Sequence, residues 1–554
     1  MKKIYITLAL VAVLSSSCED FLNTKPIDKI AQSQYFTNEE GLTQGLAGVY
    51  DPLGSASLYG ESLYTKLEAC TDEGFYARSG QKTEPMVYVF NPTDPTISNM
   101  WNTLYDGLNR ANDLIANINL PAMDEGKRQV ILGEALFLRG YYHFMLVKGF
   151  GAVPMKTSPT TTPNGTQQPA TPVAEIYAQI LKDMTEAEAK VGTSSAYGYS
   201  SRVSKTVVQG ILSRVCLTMA GFPLNDTAKY KDALAWSKKV MDSGEHALNV
   251  TANPDPKYNT FNPSNGGSTA NNAYRQIFIN HVQDIYDVKE SMWEIDFKGN
   301  RGDGYFETGR LGNTNGITFT GAALFNQIGY SYGFIRGTGR LFNKYGDGDL
   351  RRDWVLTTYT FNNTTGAKNP INKLAGARAS EFPYGRDCGK WRREYEALLP
   401  KEKNHNPNNF PVLRYADVLL MMAESENQVN GPTVAAYNAV NQVRRRGYGL
   451  AINTVSAVAD LPAGLSKGAF QTAIEDERMR ELCFEGTRKS DLIRWGKFVQ
   501  TMNSVGAEMS TAPTLANQQY AGFGGLNVEA KHLLYPIPSR EIASNKEITQ
   551  NPGW

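Results

Sequence analysis

Residues 125–154 read EGKRQVILGEALFLRGYYHFMLVKGFGAVP. Ile131, Ala135, Leu138, Tyr142 and Met145 recur at three- and four-residue spacing and form one apolar stripe, while Phe137, Tyr141 and Phe144 form a second. One stripe marks a helix lying on a core. Two stripes mark a helix covered on both sides, and the spacing predicts such a helix over 125–148. Gly149-Phe150-Gly151, with Pro154 beyond, supplies the stop.

A doubly covered helix needs neighbours, and the chain supplies them. Asn38 offers an N-cap to a helix running to Tyr50. Trp101 to Ile118 carries apolar residues at 101, 104, 105, 108, 111, 115 and 118. After a Thr/Pro-rich loop over 157–172, helical patterns cover 173–191, 203–220 and 227–243. They resume at 412–430, 433–446, 467–485 and 487–503. Helices of this length joined by short turns suit a tetratricopeptide-like arrangement of stacked pairs, although the strict repeat is absent. Between 251 and 410 Gly, Asn, Pro and aromatics rise, and Ser291 to Phe297 alternates like a strand, with Trp293 expected in the core. The predicted fold is therefore mostly α. Tetratricopeptide-like helix pairs form a scaffold, and a loop-rich irregular region holds a few short strands. The expected division is 34–250 helical, 251–410 loop-rich and 411–554 helical with an extended tail, intertwined as one body.

The N-terminus reads as an export signal. Lys2-Lys3 precede an apolar run from Ile4 to Leu14 that is too short to cross a hydrocarbon core of roughly 30 Å. Ser15-Ser16-Ser17-Cys18 resembles a bacterial lipoprotein cleavage site, with Leu14 one place farther from the cysteine than usual. Residues 1–17 are then the signal peptide, Cys18 the lipidation site and 18–33 a lipidated tether. Glu19-Asp20 resemble a surface-export signal.

Composition excludes other classes. The 554 residues are 41% apolar and 20% charged, ordinary for a globular protein. Losing Lys2 and Lys3 with the signal peptide changes the formal charge from +1 to −1. No field for polyphosphate results, so nucleic acid is not an expected partner. Phosphate-cradling glycine loops, a G-x-S-x-G elbow, H-E-x-x-H and C-x-x-C are absent, and neither a metal nor a cofactor is expected. Asp347-Gly348-Asp349 reads as a turn. Cys216 and Cys483 read as buried apolar residues, and the sequence leaves disulfide pairing open. The clusters from Glu477 to Arg494 place opposite charges three and four apart, which predicts ion pairs between the last helices. Arg444-Arg445-Arg446 reads as a solvated or ion-pairing face.

Several stretches together resemble the SusD/RagB family of Bacteroidetes: Glu134 to Phe144 with Gly149 to Pro154, Phe410 to Ser425, Val440 to Arg446, Ile474 to Gly496, and the tail Tyr535-Pro-Ile-Pro538 with Gln550 to Gly553. The resemblance implies a helical scaffold under a loop-rich ligand surface. It also implies a surface-exposed, lipid-anchored outer-membrane protein, not an enzyme, that captures a glycan and delivers it to a SusC-like TonB-dependent transporter. An oligopeptide ligand of the RagB kind is the alternative, and a surface hydrolase a further one. The matching motifs are scaffold, so the resemblance transfers no ligand residue.

Ligand contacts are instead expected where aromatics and hydrogen-bonding side chains gather in loops. Two stretches qualify. The first is Asp72 to Arg78 with Tyr88 nearby, giving Asp72, Phe75, Tyr76, Arg78 and Tyr88. The second is the Gly-rich run 299–336, giving Tyr305, Tyr332 and Arg336, with Tyr330 beside them.

Overall fold

The computed structural model describes residues 35–78, 84–162, 167–253, 272–299, 308–371, 386–511 and 519–554. Cys18 and Tyr305 lie outside the described residues. The helices used below are α1 Glu39–Tyr50, α2 Pro95–Asn117, α3 Glu125–Phe150, α4 Val173–Glu188, α5 Lys205–Ala220, α6 Lys229–Asp242, α7 Ala273–Val282, α8 Tyr415–Asn430, α9 Val434–Gly447, α10 Lys467–Leu482, α11 Arg488–Arg494, α12 Phe498–Thr511 and α13 Gln519–Asn527. Three short antiparallel ladders pair β1 (Gly74–Tyr76) with β3 (Ile335–Gly337), β2 (Ser291–Ile295) with β6 (Phe410–Arg414), and β4 (Tyr359–Phe361) with β5 (Lys368–Pro370). The chain is mostly α with a few short strands, as the sequence predicts.

The helix that decides the fold is α3. The Asp124 side chain accepts the Lys127 N–H at 2.9 Å at its start, and Gly151, at φ +75, ends it. Its length and apolarity suit a membrane span, yet it is almost wholly buried among other helices. Both stripes have partners. Phe137 and Tyr141 meet Trp293 of β2 at 5.3 and 4.8 Å between ring centres, and Trp293 is fully buried, as expected. Tyr142 packs on α2 at Gly107 and donates to the Val49 carbonyl at 2.6 Å. From α3 the packing runs to α4, then α5, α6 and α8, which α9 and α10 cover. Each helix lies against its successor or near-successor, giving a layered scaffold.

The approach of α2 to α3 depends on Gly107, because a Cβ there would lie 2.3 Å from Tyr142 Cζ. Gly107→Ala gains up to about 1 kcal/mol of helix propensity. Displacing a ring already held by a hydrogen bond costs about 1–3 kcal/mol. The expected outcome is a lower thermal midpoint, and a midpoint equal to or above wild type contradicts this packing.

Two helix boundaries differ from the sequence expectation. The stretch 412–430 begins as a strand: Phe410–Arg414 is buried at every residue and pairs with β2, so α8 starts only at Tyr415. Tertiary pairing decides there, because a continuous buried run has no period of its own. The stretch 487–503 breaks at Gly496, whose φ of +69 separates α11 from α12. The helix α7 lies inside the region expected to be loop-rich.

The charged clusters form the predicted ion pairs, and they are buried. Arg414 meets Glu290, Glu481 and Glu485 at 2.8–3.0 Å; Arg351 meets Asp349, Glu477 and Glu481; Arg446 meets Glu481. Arg444 and Arg445 pair with Glu477 and Asp460, so the triple arginine is an ion-pairing face. Cys70, Cys216, Cys388 and Cys483 are free and buried.

Candidate functional site

The β1–β3 ladder joins the two stretches that the sequence singled out. Phe75 lies opposite Arg336 and Tyr76 opposite Ile335, and the ladder continues where the Ala77 N–H donates to the Phe334 carbonyl at 2.7 Å. On the other side, the Tyr332 N–H donates to the Asn313 carbonyl and the Phe334 N–H to the Thr314 carbonyl, at 2.8 and 2.7 Å. The run 330–336 is thus held along both edges.

Burial alternates along this run. Ser331, Gly333 and Ile335 are buried, while Tyr330, Tyr332, Phe334 and Arg336 are half-buried. The chain passes Thr318 so closely that a Cβ on Gly333, at φ +59, would lie 1.9 Å from Thr318 Oγ1, so glycine is required there. The outward rings form a strip. Tyr330 and Tyr332 meet edge-on at 5.0 Å, Tyr332 and Phe334 stack at 4.9 Å, and Tyr76 supports Phe334 at 5.1 Å. Cations sit over both ends: Arg78 Cζ is 5.2 Å from the Phe334 ring centre, and Lys403 Nζ is 4.8 Å from that of Tyr330. Lys403 is placed by a clamp, because the Arg393 guanidinium and the Asn313 amide each donate to the carbonyls of both Tyr330 and Lys403.

Of the residues expected to touch ligand, Tyr332, Arg336 and Arg78 lie at this surface, and Arg78 is exposed. Four others are corrected by their burial. Phe75 is 0% exposed in a small core with Leu492, Phe498 and Met502. Asp72 is 6% exposed, with both oxygens taken by Arg488 at 2.8 Å. Tyr88 donates to the Cys70 carbonyl and packs edge-on against Phe498. Tyr76 is 3% exposed and backs the strip rather than facing outward. In a three-residue strand pinned from both sides, aromatic density reports loop anchoring as readily as ligand contact. Phe334 and Lys403 were missed. The Tyr330–Tyr332–Phe334 alternation was a readable signal for the first; nothing local marks the second, whose place comes from the clamp.

Beneath β1, the Glu73 side chain accepts the Phe484 N–H at 2.9 Å, and its carbonyl accepts the Thr338 N–H at the end of β3. Burial pushes the Glu73 carboxyl up to about 8, against the pull of that N–H and of Arg488. Around the strip, Asp387 pairs with Arg336 at 2.9 Å and accepts the Thr318 N–H at 2.8 Å. The arrangement provides flat apolar area, hydrogen-bonding edges and positive charge, with this acid already engaged on both oxygens. Among the described residues no cluster of three or more His, Cys, Asp or Glu is set to hold a metal. An open cleft of mixed lining, about 770 Å³, lies elsewhere, beside Tyr199, Arg202 and Asp296. An apolar cavity of about 320 Å³ is lined by the end of α3 and the C-terminal tail.

Comparison with known proteins places this geometry among related chains. Residues 242–554 match the model of the SusD family, and residues 20–217 match a model described as starch-binding and associating with the outer membrane. SusD-like protein P25 of Formosa agariphila is 24% identical over 97% of this chain and 95% of its own length. The starch-binding protein SusD of Bacteroides thetaiotaomicron is 26% identical over 33% of this chain and 28% of its own. The crystal structure of a SusD homologue from Bacteroides thetaiotaomicron superposes with a TM-score of 0.81 at 28% identity, covering 94% of this chain and 98% of that one. A laminarin-binding SusD-like protein superposes at 0.66 and 22% identity, covering 94% and 100%, a likeness of fold.

Proposed function

The chain belongs to the SusD family, and from that premise we propose that it captures a glycan at the cell surface and delivers it to a SusC-like TonB-dependent transporter of the outer membrane. The observation that carries the reading is the aromatic strip of Tyr330, Tyr332 and Phe334 flanked by Arg78 and Lys403. Sugars present apolar C–H faces and a rim of hydroxyls. Half-exposed rings match the first, and phenol, guanidinium and ammonium groups match the second. Relatives named for starch and laminarin binding support a glycan over a peptide. Capture without transformation is the reading, and Asp387, the acid beside the strip, is engaged by Arg336 and by the Thr318 N–H.

Cys18 carries the acyl groups in this reading. Residues 18–33 reach at most roughly 55 Å, which lets the body sit on a barrel while remaining tethered. Two or three acyl chains anchor durably where one does not. Cys18→Ala is expected to move the protein from the membrane fraction to the soluble one, and unchanged fractionation contradicts lipidation there. A polysaccharide screen with the mature chain tests the capture reading. Saturable retention by at least one glycan, with no reducing ends released, is the expected result; release of reducing ends, or retention by peptides alone, overturns it.

A further inference from the structure

Resting on the capture reading, we infer that the strip takes an anionic polysaccharide, with carboxylate or sulfate groups, in preference to a neutral one. Four of the acids around the strip are already engaged. Asp387 is paired with Arg336, Glu61 with Arg310 and Glu396 with Arg393, and Glu402 accepts the N–H groups of Asn404 and His405. Arg78 and Lys403 have no carboxylate partner among the described residues, and each lies on the face of a strip ring. A cation held over a ring is steered by the ring's quadrupole yet keeps its outward N–H donors. Arg78 offers a planar fork that matches carboxylate and sulfate geometry, and Lys403 a compact charge.

Placement at the two ends of one strip matters more than the charge alone. A neutral glycan needs rings and dipoles, which the rings and hydroxyls of Tyr330 and Tyr332 already provide. Two cations flanking the rings, without a carboxylate partner among the described residues, suit a polymer that repeats its negative charge from one sugar to the next. Glu84, the remaining acid near Tyr76, has no ion pair among the described residues and opposes such a ligand. It makes the inference testable in the other direction.

The test uses the full mature chain in detergent with three probes: polygalacturonate, which carries carboxylates alone, dextran sulfate, which carries sulfates alone, and neutral laminarin, each over a range of salt. Affinity for at least one acidic probe is expected to exceed that for laminarin and to weaken steadily as salt rises. Arg78→Gln with Lys403→Gln is expected to lower it on the order of tenfold. Arg78→Lys restores part of the loss, and Glu84→Gln tightens binding about twofold to threefold. The carboxylate and sulfate arms decide which anion is preferred. Tighter binding to laminarin, or acidic binding that neither salt nor the two Gln substitutions weaken, overturns the inference but leaves glycan capture standing. Failure of all three probes, and of a wider glycan set, counts against the capture reading itself.

Discussion

Replacing Arg414 by Ala is expected to lower stability by about 3–5 kcal/mol, the largest single-residue effect in the scaffold. The guanidinium is buried and contacts Glu290, Glu481 and Glu485 at once, so its removal leaves three buried carboxylates with fewer cations. The retained partners, Arg446 for Glu290 and Glu481, Arg351 for Glu481 and Lys390 for Glu485, do not restore the balance. The pH dependence has a definite sign. Burial pushes the Glu481 carboxyl up, but Arg446, Arg414 and Arg351 outweigh it and hold it at about 2. A depressed carboxyl contributes stability above its ordinary range and loses it as pH falls toward the folded value. Thermal unfolding followed from pH 7 to pH 3 should show the gap between wild type and Arg414→Ala narrowing on acidification. A variant midpoint equal to wild type at pH 7 contradicts the network.

Glu73→Gln is expected to act in the opposite direction and on the alkaline side. With its carboxyl raised to about 8, Glu73 is held in the fold as the acid. A raised carboxyl contributes stability fully below its ordinary value near 4.5, and that stability is lost as pH rises through about 8. Glutamine keeps an oxygen for the Phe484 N–H and carries no charge. At pH 4 the two proteins should unfold together. At pH 8.5 the variant should be more stable, by on the order of 3 kcal/mol. Because the Glu73 carbonyl holds Thr338 at the end of β3, the wild-type strip should also lose ligand affinity over this range while the variant keeps it. Equal stability at pH 8.5 rules out a buried, protonated Glu73.

The scaffold was legible because its helices carry long periodic signals. The double stripe of α3, the Asn38 cap and the charge spacing of α10 and α11 each specify a local structure that the packing then uses. The strands were less legible. Three-residue ladders such as β1–β3 exist only through a partner far along the chain, and β6 looks helical until β2 is beside it. The site was half legible for the same reason. Aromatic and charged density located both stretches. Which rings point outward depends on a pairing that local sequence does not encode, so Phe75 and Tyr88 became core while Phe334 became surface.

Whether the paired stretches form one glycan platform is decided by isothermal titration of Tyr332→Ala/Phe334→Ala with the polysaccharide that the screen selects. Both rings are half-exposed, so the fold should survive and circular dichroism should match wild type. The predicted result is an affinity loss on the order of a hundredfold, about tenfold per ring. Wild-type affinity in the folded double variant would place the ligand elsewhere and contradict the account.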